Sequence, residues 1–388
     1  MRTIRQAAAL LSFAVLLGGA NPAAAQFYLQ HNLVSDLPGV ADLQDDSLVN
    51  SWGLVSSATS PFWVANNGTG TSTLYNTSGP MVAKVALTNL ACECVMVDND
   101  PTGVVFNGPP ITAGTGFVVS MGGASGPARF IFVTEDGSIL GWNPGVPPPV
   151  PPPPLVSSQA IVVVQPSDAN VYKGVAIAGT PKGDFLYATN FRAGTVDMFD
   201  SKWTKQPAAF ADPTIPAGFA PFGIQNIGGI IYVSYAKQDE FKHDDVAGVG
   251  NGFVNAFTTD GTLIRRVVSG QTLNSPWGLT MAPAGFGKFS GDLLVGNFGD
   301  GRIQAYDVSH LRGNDQARFR GFLHGADGPQ LRIDGLWALQ FGNGAAAGPK
   351  TTLFFTSGPQ KESHGLFGSL VATTPPGKAH GDAEGEND

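Results

Sequence analysis

A unit of three short strands, repeated about every fifty residues, is the feature that most limits how this chain can fold. The stretch 273–307, LNSPWGLTMAPAGFGKFSGDLLVGNFGDGRIQAYD, shows the unit most clearly. Its strands are expected at Trp277–Met281, Asp292–Asn297 and Arg302–Tyr306, with glycine-rich turns between them. Short strands in repeats of this length are typical of β-propellers. The sequence therefore predicts an all-β fold, a six-bladed β-propeller with four-stranded blades.

Each repeat begins with a residue and a glycine that precede an apolar strand. We place these pairs at Trp52-Gly53, Thr102-Gly103, Lys173-Gly174, Phe222-Gly223, Trp277-Gly278 and Asp334-Gly335. The sixth repeat lacks a fourth strand, whereas Phe27–Val34 is a strand without a blade of its own. Because an open sheet edge invites pairing with other chains, we expect this N-terminal strand to complete the last blade and close the ring.

Three segments lie outside the repeats. Residues 1–25 have the charged, apolar and small-residue order of a secretory signal peptide, which predicts an exported protein, periplasmic or extracellular. We place the propeller at 26–372 and a disordered acidic tail at 373–388. The proline-rich insertion 144–154 is expected as an exposed loop of blade two. Since no other apolar run is long enough to span a bilayer, we expect no permanent membrane span.

Charge and cysteine content narrow the choice of partners. The formal net charge of −8 argues against nucleic acid, and we expect a monomer. The two cysteines, Cys92 and Cys94, are separated by one residue. They fit a structural or incidental pair, a strained and easily reduced disulfide, or a thiolate pair for a soft metal.

The first-strand entrances are predicted to form a ring near the axis, where they suggest a ligand site. Blades three and six are opposite each other, so Lys173 and Asp334 are expected to face one another across the pore mouth. They form either a plain salt bridge or a functional pair, with Lys173 as an anion anchor or Asp334 as an acid or cation ligand. Trp52, Phe222 and Trp277 are either a plug that fills the axis or an aromatic platform for a flat ligand.

Loops between second and third strands lie on the same face and supply further polar groups. Arg192 is a candidate ligand-binding residue in blade three. The candidate metal ligands are His243, Asp244, Asp245, Glu362 and His364. Their mixture of imidazole and carboxylate suits zinc, manganese or iron, and carboxylates with Asn carbonyls alone would suit calcium. The alternative is loop capping and solvated charge, and Glu135, Asn190 and Asn297 are interpreted as residues that pin turns.

The segment GDLLVGNFGDGRIQAYD resembles the NHL class of six-bladed propellers. The segments NLVSDLPG, LVNSWGL, FWVANNGTGTSTLYN, ATNFRAGTVDMFD, KHDDVAGVGNGFV and IDGLWALQFGNG resemble a family of exported bacterial proteins, some of which carry a PEP-type C-terminal sorting anchor. The resemblance implies the fold and export, and it assigns no activity. NHL-type relatives include binding scaffolds, a zinc-dependent amidating lyase and lactonase-like hydrolases, but their ligand positions do not map onto this sequence.

Two functional hypotheses follow. The first is a binding or scaffold protein that takes a small molecule or a protein as ligand on its loop-bearing pore face. The second is a metal-dependent hydrolase or lyase with one divalent cation (Ca, Zn or Mn) at the pore mouth. The sequence contains no nucleophile elbow, zinc-protease helix motif or phosphate-binding loop that would favour another chemistry.

Overall fold

The computed structural model describes residues 27–88, 90–98, 100–108, 116–149, 156–311 and 315–374. Six sheets surround one axis, and the innermost strand of each sheet contacts that of the next, with the sixth contacting the first. Two short 3-10 helices, Asn67–Thr69 and Gly287–Phe289, interrupt the strands of this part of the chain. The predicted six-bladed all-β propeller is confirmed.

The blades are mostly four-stranded. From the axis outward, blade one contains Ser51–Val55, Phe62–Asn66, Thr71–Asn76 and Ala83–Lys84; blade two contains Pro101–Phe106, Phe130–Thr134, Ile139–Trp142 and Ile161–Val164; blade three contains Tyr172–Thr180, Gly183–Asn190 and Thr195–Asp200; blade four contains Phe219–Ile227, Ile230–Lys237, Phe253–Phe257 and Leu263–Ser269; blade five contains Pro276–Met281, Leu293–Asn297, Ile303–Asp307 and Arg318–Phe322; and blade six contains Leu336–Phe341, Leu353–Ser357, Leu366–Thr373 and Phe27–Ser35.

Shorter strands decorate this framework. They are Leu43–Gln44 and His324–Gly325, which both pair with Phe27–Ser35, Val95–Met96, which pairs with blade one, and the hairpin Val118–Met121 with Ala124–Pro127. In blade three, the fourth strand expected of a four-stranded blade is reduced to isolated bridges such as Val196 with Ala209.

The N-terminal strand closes the ring as predicted. Phe27–Ser35 runs antiparallel to Leu366–Thr373, with Phe27 opposite Thr373 and Ser35 opposite Leu366. Tyr28 is fully buried, stacks on Phe286 with 4.6 Å between ring centroids, and donates its hydroxyl to the Phe286 carbonyl at 3.0 Å. The closing strand is therefore packed into the core that blades five and six share.

The glycines of the first strands allow neighbouring blades to approach closely. A Cβ atom on Gly53 would lie 2.6 Å from the Thr102 carbonyl oxygen, and one on Gly223 would lie 2.1 Å from that of Trp277. Real Cβ atoms do not come this close to a carbonyl oxygen. The repeated glycine thus reflects backbone-to-backbone packing of the innermost strands.

Blade six departs from the predicted repeat by three residues. Leu336 pairs with Ser357 and Leu339 with Phe355, which is the register of Pro276 with Asn297 and Leu279 with Val295 in blade five. The residues equivalent to Trp277-Gly278 are therefore Trp337-Ala338. The placement of the sixth repeat at Asp334-Gly335 was wrong, because Gly335 lies in the preceding turn at φ +63°.

Some predictions concern segments beyond the described residues. These are the signal peptide at 1–25, part of the proline-rich insertion at 144–154 and nearly all of the acidic tail. The strand that ends at Thr373 includes the first residue assigned to that tail. Within the described ranges there is no helix with the length and apolar character needed to cross a membrane.

Candidate functional site

Loop residues from five blades form a continuous series of polar contacts across the pore mouth. Asn50, before the first strand of blade one, donates from Nδ2 to Glu362 Oε2 of blade six at 2.8 Å and to Asn67 Oδ1 at 3.0 Å. Asn67 in turn donates from Nδ2 to Glu135 Oε2 of blade two at 2.9 Å. These residues are distant in sequence but meet because the entrances to the first strands and the loops between second and third strands lie on one face of the propeller.

Lys173 continues the series into blades three and four. Its side chain is 2% exposed, and its ammonium pairs with Glu135 and, at 3.2 Å, with Asp244 Oδ1. His243 Nδ1 lies 2.9 Å from the same Asp244 oxygen. We refer to Glu362, Asn50, Asn67, Glu135, Lys173 and Asp244 as the pore-mouth chain.

An aromatic cluster forms the floor beneath this chain. Trp52, Phe222 and Trp337 are buried, and the rings of Trp52 and Trp337 stack with centroids 3.4 Å apart. Lys173 Nζ lies 5.2 Å from the centroid of the Trp52 ring, within the range of a cation–π interaction. Trp277, which is partly exposed, donates from Nε1 to the Lys173 carbonyl at 2.9 Å. Trp52 and Phe222 thus fill the axis, which agrees with their interpretation as a plug.

Lys173 and Asp244 stabilise each other's charged forms. Burial by itself disfavours the charged lysine, but Glu135 and Asp244 outweigh it and raise the Lys173 pKa. Burial also opposes ionisation of Asp244, yet the nearby Lys173 and His243 lower its pKa overall. The ammonium is therefore committed to carboxylates of the protein, so the anion-anchor alternative for Lys173 has no support in these contacts.

The remaining carboxylates around the mouth are not neutralised to the same degree. Burial, with repulsion from Glu135 and Asp244, raises the Glu362 pKa despite the hydrogen bond from Asn50. Burial likewise raises the Asp245 pKa, and its Oδ2 is enclosed without a hydrogen-bond partner. For Asp100, partial burial and repulsion by Glu135 and Asp136 have the same effect on the pKa. The pore mouth holds an excess of negative charge.

A cleft of about 630 Å³ opens beside the pore-mouth chain. Its lining includes Asp100, Glu135, Asp136, Asp168, Arg192 and His243. Arg192 donates from Nη1 to the Asp168 carbonyl at 2.7 Å, so this predicted ligand-binding residue braces the wall of the cleft. The acidic side chains of the lining outnumber the basic ones, which suits a ligand that carries positive charge.

Left-handed backbone at residues other than glycine is frequent on this face. Gln360, Lys361 and Glu362 have successive φ values of +55°, +58° and +67°, and Asn50 has a φ of +45°. Such conformations are unfavourable for these residue types and persist where the surrounding structure holds them. Here they aim Glu362 at Asn50, across the seam between blades six and one.

Asp334 does not face Lys173 as predicted. It is exposed, its Oδ2 accepts a hydrogen bond from the Gln360 backbone N–H at 2.8 Å, and the ring position assigned to it belongs to Trp337. The partners of Lys173 are Glu135 and Asp244 instead. The error follows directly from the three-residue shift in blade six.

The predicted metal ligands divide into separate groups. His243 and Asp244 come together with Glu135, and one ligand atom from each of these three residues lies within 4.8 Å of the others. His364 Nδ1 instead contacts Asp36 Oδ2 at 2.6 Å, near the closing strand. Glu362 belongs to the pore-mouth chain and Asp245 is enclosed beside it. Glu135, which we had interpreted as pinning a turn, is the central acid of the site.

Sequence reasoning also missed Asn50 and Trp337. Trp337 Nε1 donates to Asn50 Oδ1 at 3.2 Å, so the two residues link floor and chain. The signal for Trp337 was present, because Trp337-Ala338-Leu339 matches Trp52-Gly53-Leu54 once alanine is allowed in place of glycine. Asn50 precedes the strand of Trp52 and carried no comparable signal.

Two proteins of Acanthamoeba polyphaga mimivirus are similar to the chain in sequence. The uncharacterized protein R648 is 31% identical over 349 residues, which cover 87% of this chain and 78% of the viral protein. The uncharacterized protein L690 is 30% identical over 350 residues, covering 87% and 84%. No family profile matches the chain. Because both relatives are viral, the bacterial family and its sorting anchor stay predictions.

Three enzymes of low sequence identity are among the solved structures with a similar fold. A Staphylococcus aureus virginiamycin B lyase with quinupristin matches with a TM-score of 0.49 at 12% identity, over 89% of this chain and 99% of the lyase. A gluconolactonase of Xanthomonas campestris gives 0.47 at 12%, over 85% and 88%. The PQQ-bound aldose sugar dehydrogenase of Streptomyces coelicolor gives 0.45 at 13%, over 90% and 99%. These similarities concern the fold alone.

Proposed function

We propose that this chain, which belongs to the family of the mimivirus proteins R648 and L690, is an exported ligand-binding propeller that takes a positively charged ligand at its pore face. The observation that carries the proposal is the uneven neutralisation of carboxylates around Lys173. Its ammonium forms ion pairs with Glu135 and Asp244. The pKa values of Glu362, Asp245 and Asp100 are raised. Burial is the largest cause of these raised pKa values, and a second positive group near the acids would favour the ionised forms that burial disfavours.

The surroundings favour binding for a physical reason. The buried aromatic floor excludes water from below, which strengthens the attraction between carboxylates and a cation. The hydrogen bonds from Asn50 to Glu362 and from Asn67 to Glu135 hold both acids in place before a ligand arrives. These side chains therefore lose little conformational freedom when a ligand binds, and preorganisation of this kind raises affinity. The cleft of about 630 Å³ has room for a small organic ammonium compound.

The second candidate is the metal-dependent hydrolase or lyase. It is favoured by the grouping of Glu135, His243 and Asp244, whose imidazole and carboxylate groups suit zinc or manganese. A bound divalent cation would act as a Lewis acid toward a carbonyl group. However, Lys173 contacts two of these three residues, and its ammonium would repel a metal ion at that point. We therefore rank binding of a charged ligand ahead of metal-assisted catalysis.

The test compares two kinds of cation on the purified mature protein. Isothermal titration calorimetry with spermidine, and separately with Ca²⁺, Mn²⁺ and Zn²⁺, measures affinity, while elemental analysis measures any metal retained on purification. We expect spermidine to bind in a salt-dependent manner, and Glu362→Gln to weaken it about tenfold, which corresponds to about 1.4 kcal/mol. Glu240→Gln is the matched control, because Glu240 is an exposed acid on the same face.

The outcomes separate the two candidates. A stoichiometric divalent metal that is lost in His243→Ala would favour the hydrolase or lyase. Failure of spermidine to bind, or equal weakening by Glu362→Gln and Glu240→Gln, would refute the charged-ligand site.

A further inference from the structure

The two cysteines are not part of the pore-mouth chain and lie in the segment that leads from blade one to blade two. Cys92 and Cys94 form a disulfide across one intervening residue, Glu93. The segment returns to blade one through Val95–Met96, whose residues pair with Ser72 and Thr71. The bond therefore joins two neighbours within one loop and connects no separate elements of the fold.

This disulfide contributes little to holding the loop in place. Disulfides stabilise mainly by closing long loops of the unfolded chain, and a ring this small gains least from that effect. Other contacts already fix the segment. Thr88 Oγ1 donates to the Cys94 carbonyl at 2.7 Å, the Glu93 N–H donates to the Leu90 carbonyl at 2.9 Å, and Val95–Met96 is held by its strand partners. We expect these contacts to keep both ends of the loop in place when the bond opens, so that only the backbone around Glu93 relaxes.

The intervening residue adopts a conformation that disfavours the closed ring. Glu93 has a φ of +49°, in the left-handed region that residues with a Cβ atom seldom occupy. Strained disulfides are the more readily reduced ones, because opening the bond releases the strain. Backbone geometry thus marks this bond as exchangeable.

The two sulfur atoms differ in accessibility. Cys94 is fully buried, whereas Cys92 is partly exposed and lines an open cleft of about 740 Å³. The same cleft is lined by Lys84, Thr69 and Met96, so it offers both polar and apolar surface to an incoming molecule. An attacking thiolate can reach Cys92 Sγ from this cleft, with Cys94 as the leaving group.

We infer that Cys92–Cys94 is a thiol–disulfide exchange site that oxidises dithiols. In the first step a substrate thiolate bonds to Cys92 Sγ, the Cys92–Cys94 bond breaks, and the Cys94 sulfur leaves as a thiolate. In the second step the other thiolate of the substrate attacks the substrate sulfur that is bonded to Cys92, and the Cys92 sulfur leaves as a thiolate. The substrate becomes a disulfide, the protein pair becomes a dithiol, and the two substrate protons pass to Cys92 and Cys94. The substrate class is a small or protein-borne dithiol.

The first experiment measures how readily the folded protein exchanges. The full mature chain is equilibrated with dithiothreitol, or with buffers of stepped glutathione to glutathione disulfide ratio, then quenched in acid and alkylated for intact-mass analysis. We expect the pair to be reduced without denaturant and the melting temperature to change by less than about 2 °C, because the fold does not depend on the bond. Reduction that requires denaturant, or that unfolds the propeller, would overturn the inference.

The second experiment tests which sulfur is attacked. With glutathione disulfide as the probe, the Cys94→Ser variant leaves Cys92 free and the Cys92→Ser variant leaves Cys94 free. We expect Cys92 to form the mixed disulfide at least about tenfold faster, because access limits such reactions. Equal rates, or a faster reaction at Cys94, would overturn the assignment. Circular dichroism of both variants confirms that each is folded, and the wild-type reduction assay decides the matter should one of them fail to fold.

Discussion

The indole rings of Trp52 and Trp337 stack with 3.4 Å between their centroids at the point where the first and last blades meet. Each ring comes from an innermost strand, and each is almost fully buried. Trp337 also contacts Phe298, Phe222 and Trp277. The closure of the ring is thus built into the aromatic floor of the site as well as into the outer edge of blade six.

Replacing Trp337 by alanine should open a cavity at this position. We expect Trp337→Ala to lower the free energy of unfolding by about 3–5 kcal/mol, because the buried ring and its hydrogen bond to Asn50 are both lost. Urea unfolding followed by fluorescence measures the change. The control is Phe241→Ala, since Phe241 is 71% exposed and should change stability by no more than about 0.5 kcal/mol. Similar losses in both variants would contradict the buried plug.

The glycines of the innermost strands should not tolerate a methyl group. A Cβ on Gly223 would lie 2.1 Å from the Trp277 carbonyl oxygen, and we expect Gly223→Ala to destabilise the protein by about 3 kcal/mol or more. Gly79→Ala is the matched control, because the nearest atom to its added Cβ is 3.4 Å away. Thermal unfolding of the two variants measures the difference. A stable Gly223→Ala variant would show that the inner strands do not pack as described.

Removal of the buried ammonium should leave Glu135 and Asp244 without the positive charge that they share. We expect Lys173→Met to lower the free energy of unfolding by about 3–5 kcal/mol at pH 7. The loss should diminish as the pH falls, because Asp244, whose pKa Lys173 helps to lower in the wild type, then binds a proton and no longer needs a counter-charge. Denaturant titrations at several pH values measure this dependence. Adding Glu135→Gln should recover more than about 1 kcal/mol, whereas additive losses would argue against the pair.

The ion pair between Asp212 and Arg266, whose Oδ2 and Nη2 atoms lie 2.6 Å apart, should make the stability of the protein depend on pH in the acid range. Burial opposes the ionisation of Asp212, but hydrogen bonds from Thr214, Arg266 and Asn255 outweigh it and lower its pKa to about 2. Because the folded-state pKa lies below the value near 3.9 of the unfolded chain, this contribution of about 2 kcal/mol is present above pH 4 and is lost as the pH falls toward 2.

The corresponding variant is Asp212→Asn. It should be less stable than the wild type by about 2 kcal/mol at pH 7, and the two proteins should converge near pH 2. Denaturant unfolding across that range tests the prediction against Asp46→Asn, a change at an exposed aspartate. A difference that does not depend on pH would show that the Asp212 charge is not responsible.

Cation binding at the pore face should release protons. The raised pKa values of Glu362, Asp245 and Asp100 mean that these acids hold protons above the ordinary carboxyl range. A cation favours their ionised forms, so affinity should fall as the pH is lowered through that range. Calorimetry of spermidine binding in two buffers with different ionisation enthalpies counts the protons. Proton uptake on binding would contradict the proposed electrostatics.

The sequence was sufficient for the repeat, the closing strand and five of the six ring positions, because each depends on local patterning or on a packing rule. The sixth position failed at Ala338 for a steric reason. Glycine marks an inner strand where the next backbone leaves no room for a methyl group, and the seam between blades six and one admits one. Because Ala338 stands in place of this glycine, the sequence pattern did not identify Trp337 as the sixth ring position.

The partners of Lys173 could not be predicted for a different reason. Asp244 reaches it through the loop 238–252, whose turn depends on the left-handed Lys242 and on the hydrogen bond from the Asp239 N–H to the Asp244 carbonyl. Such geometry is set by tertiary packing and has no sequence period. The same holds for His364, which the structure commits to Asp36 of the closing segment.

Pairing of Phe27–Ser35 with Leu366–Thr373 imposes an order on biosynthesis. Phe27–Ser35 is translated long before its partner, so the backbone groups that pair the two strands stay without their partners until Leu366–Thr373 has been translated. Asn50 and Glu362 meet across that same seam, so the proposed binding surface is complete only after the two terminal strands have paired. A prematurely terminated product would lack both this strand pair and the proposed ligand site, so spermidine binding would be expected of the full-length protein and not of the truncated one.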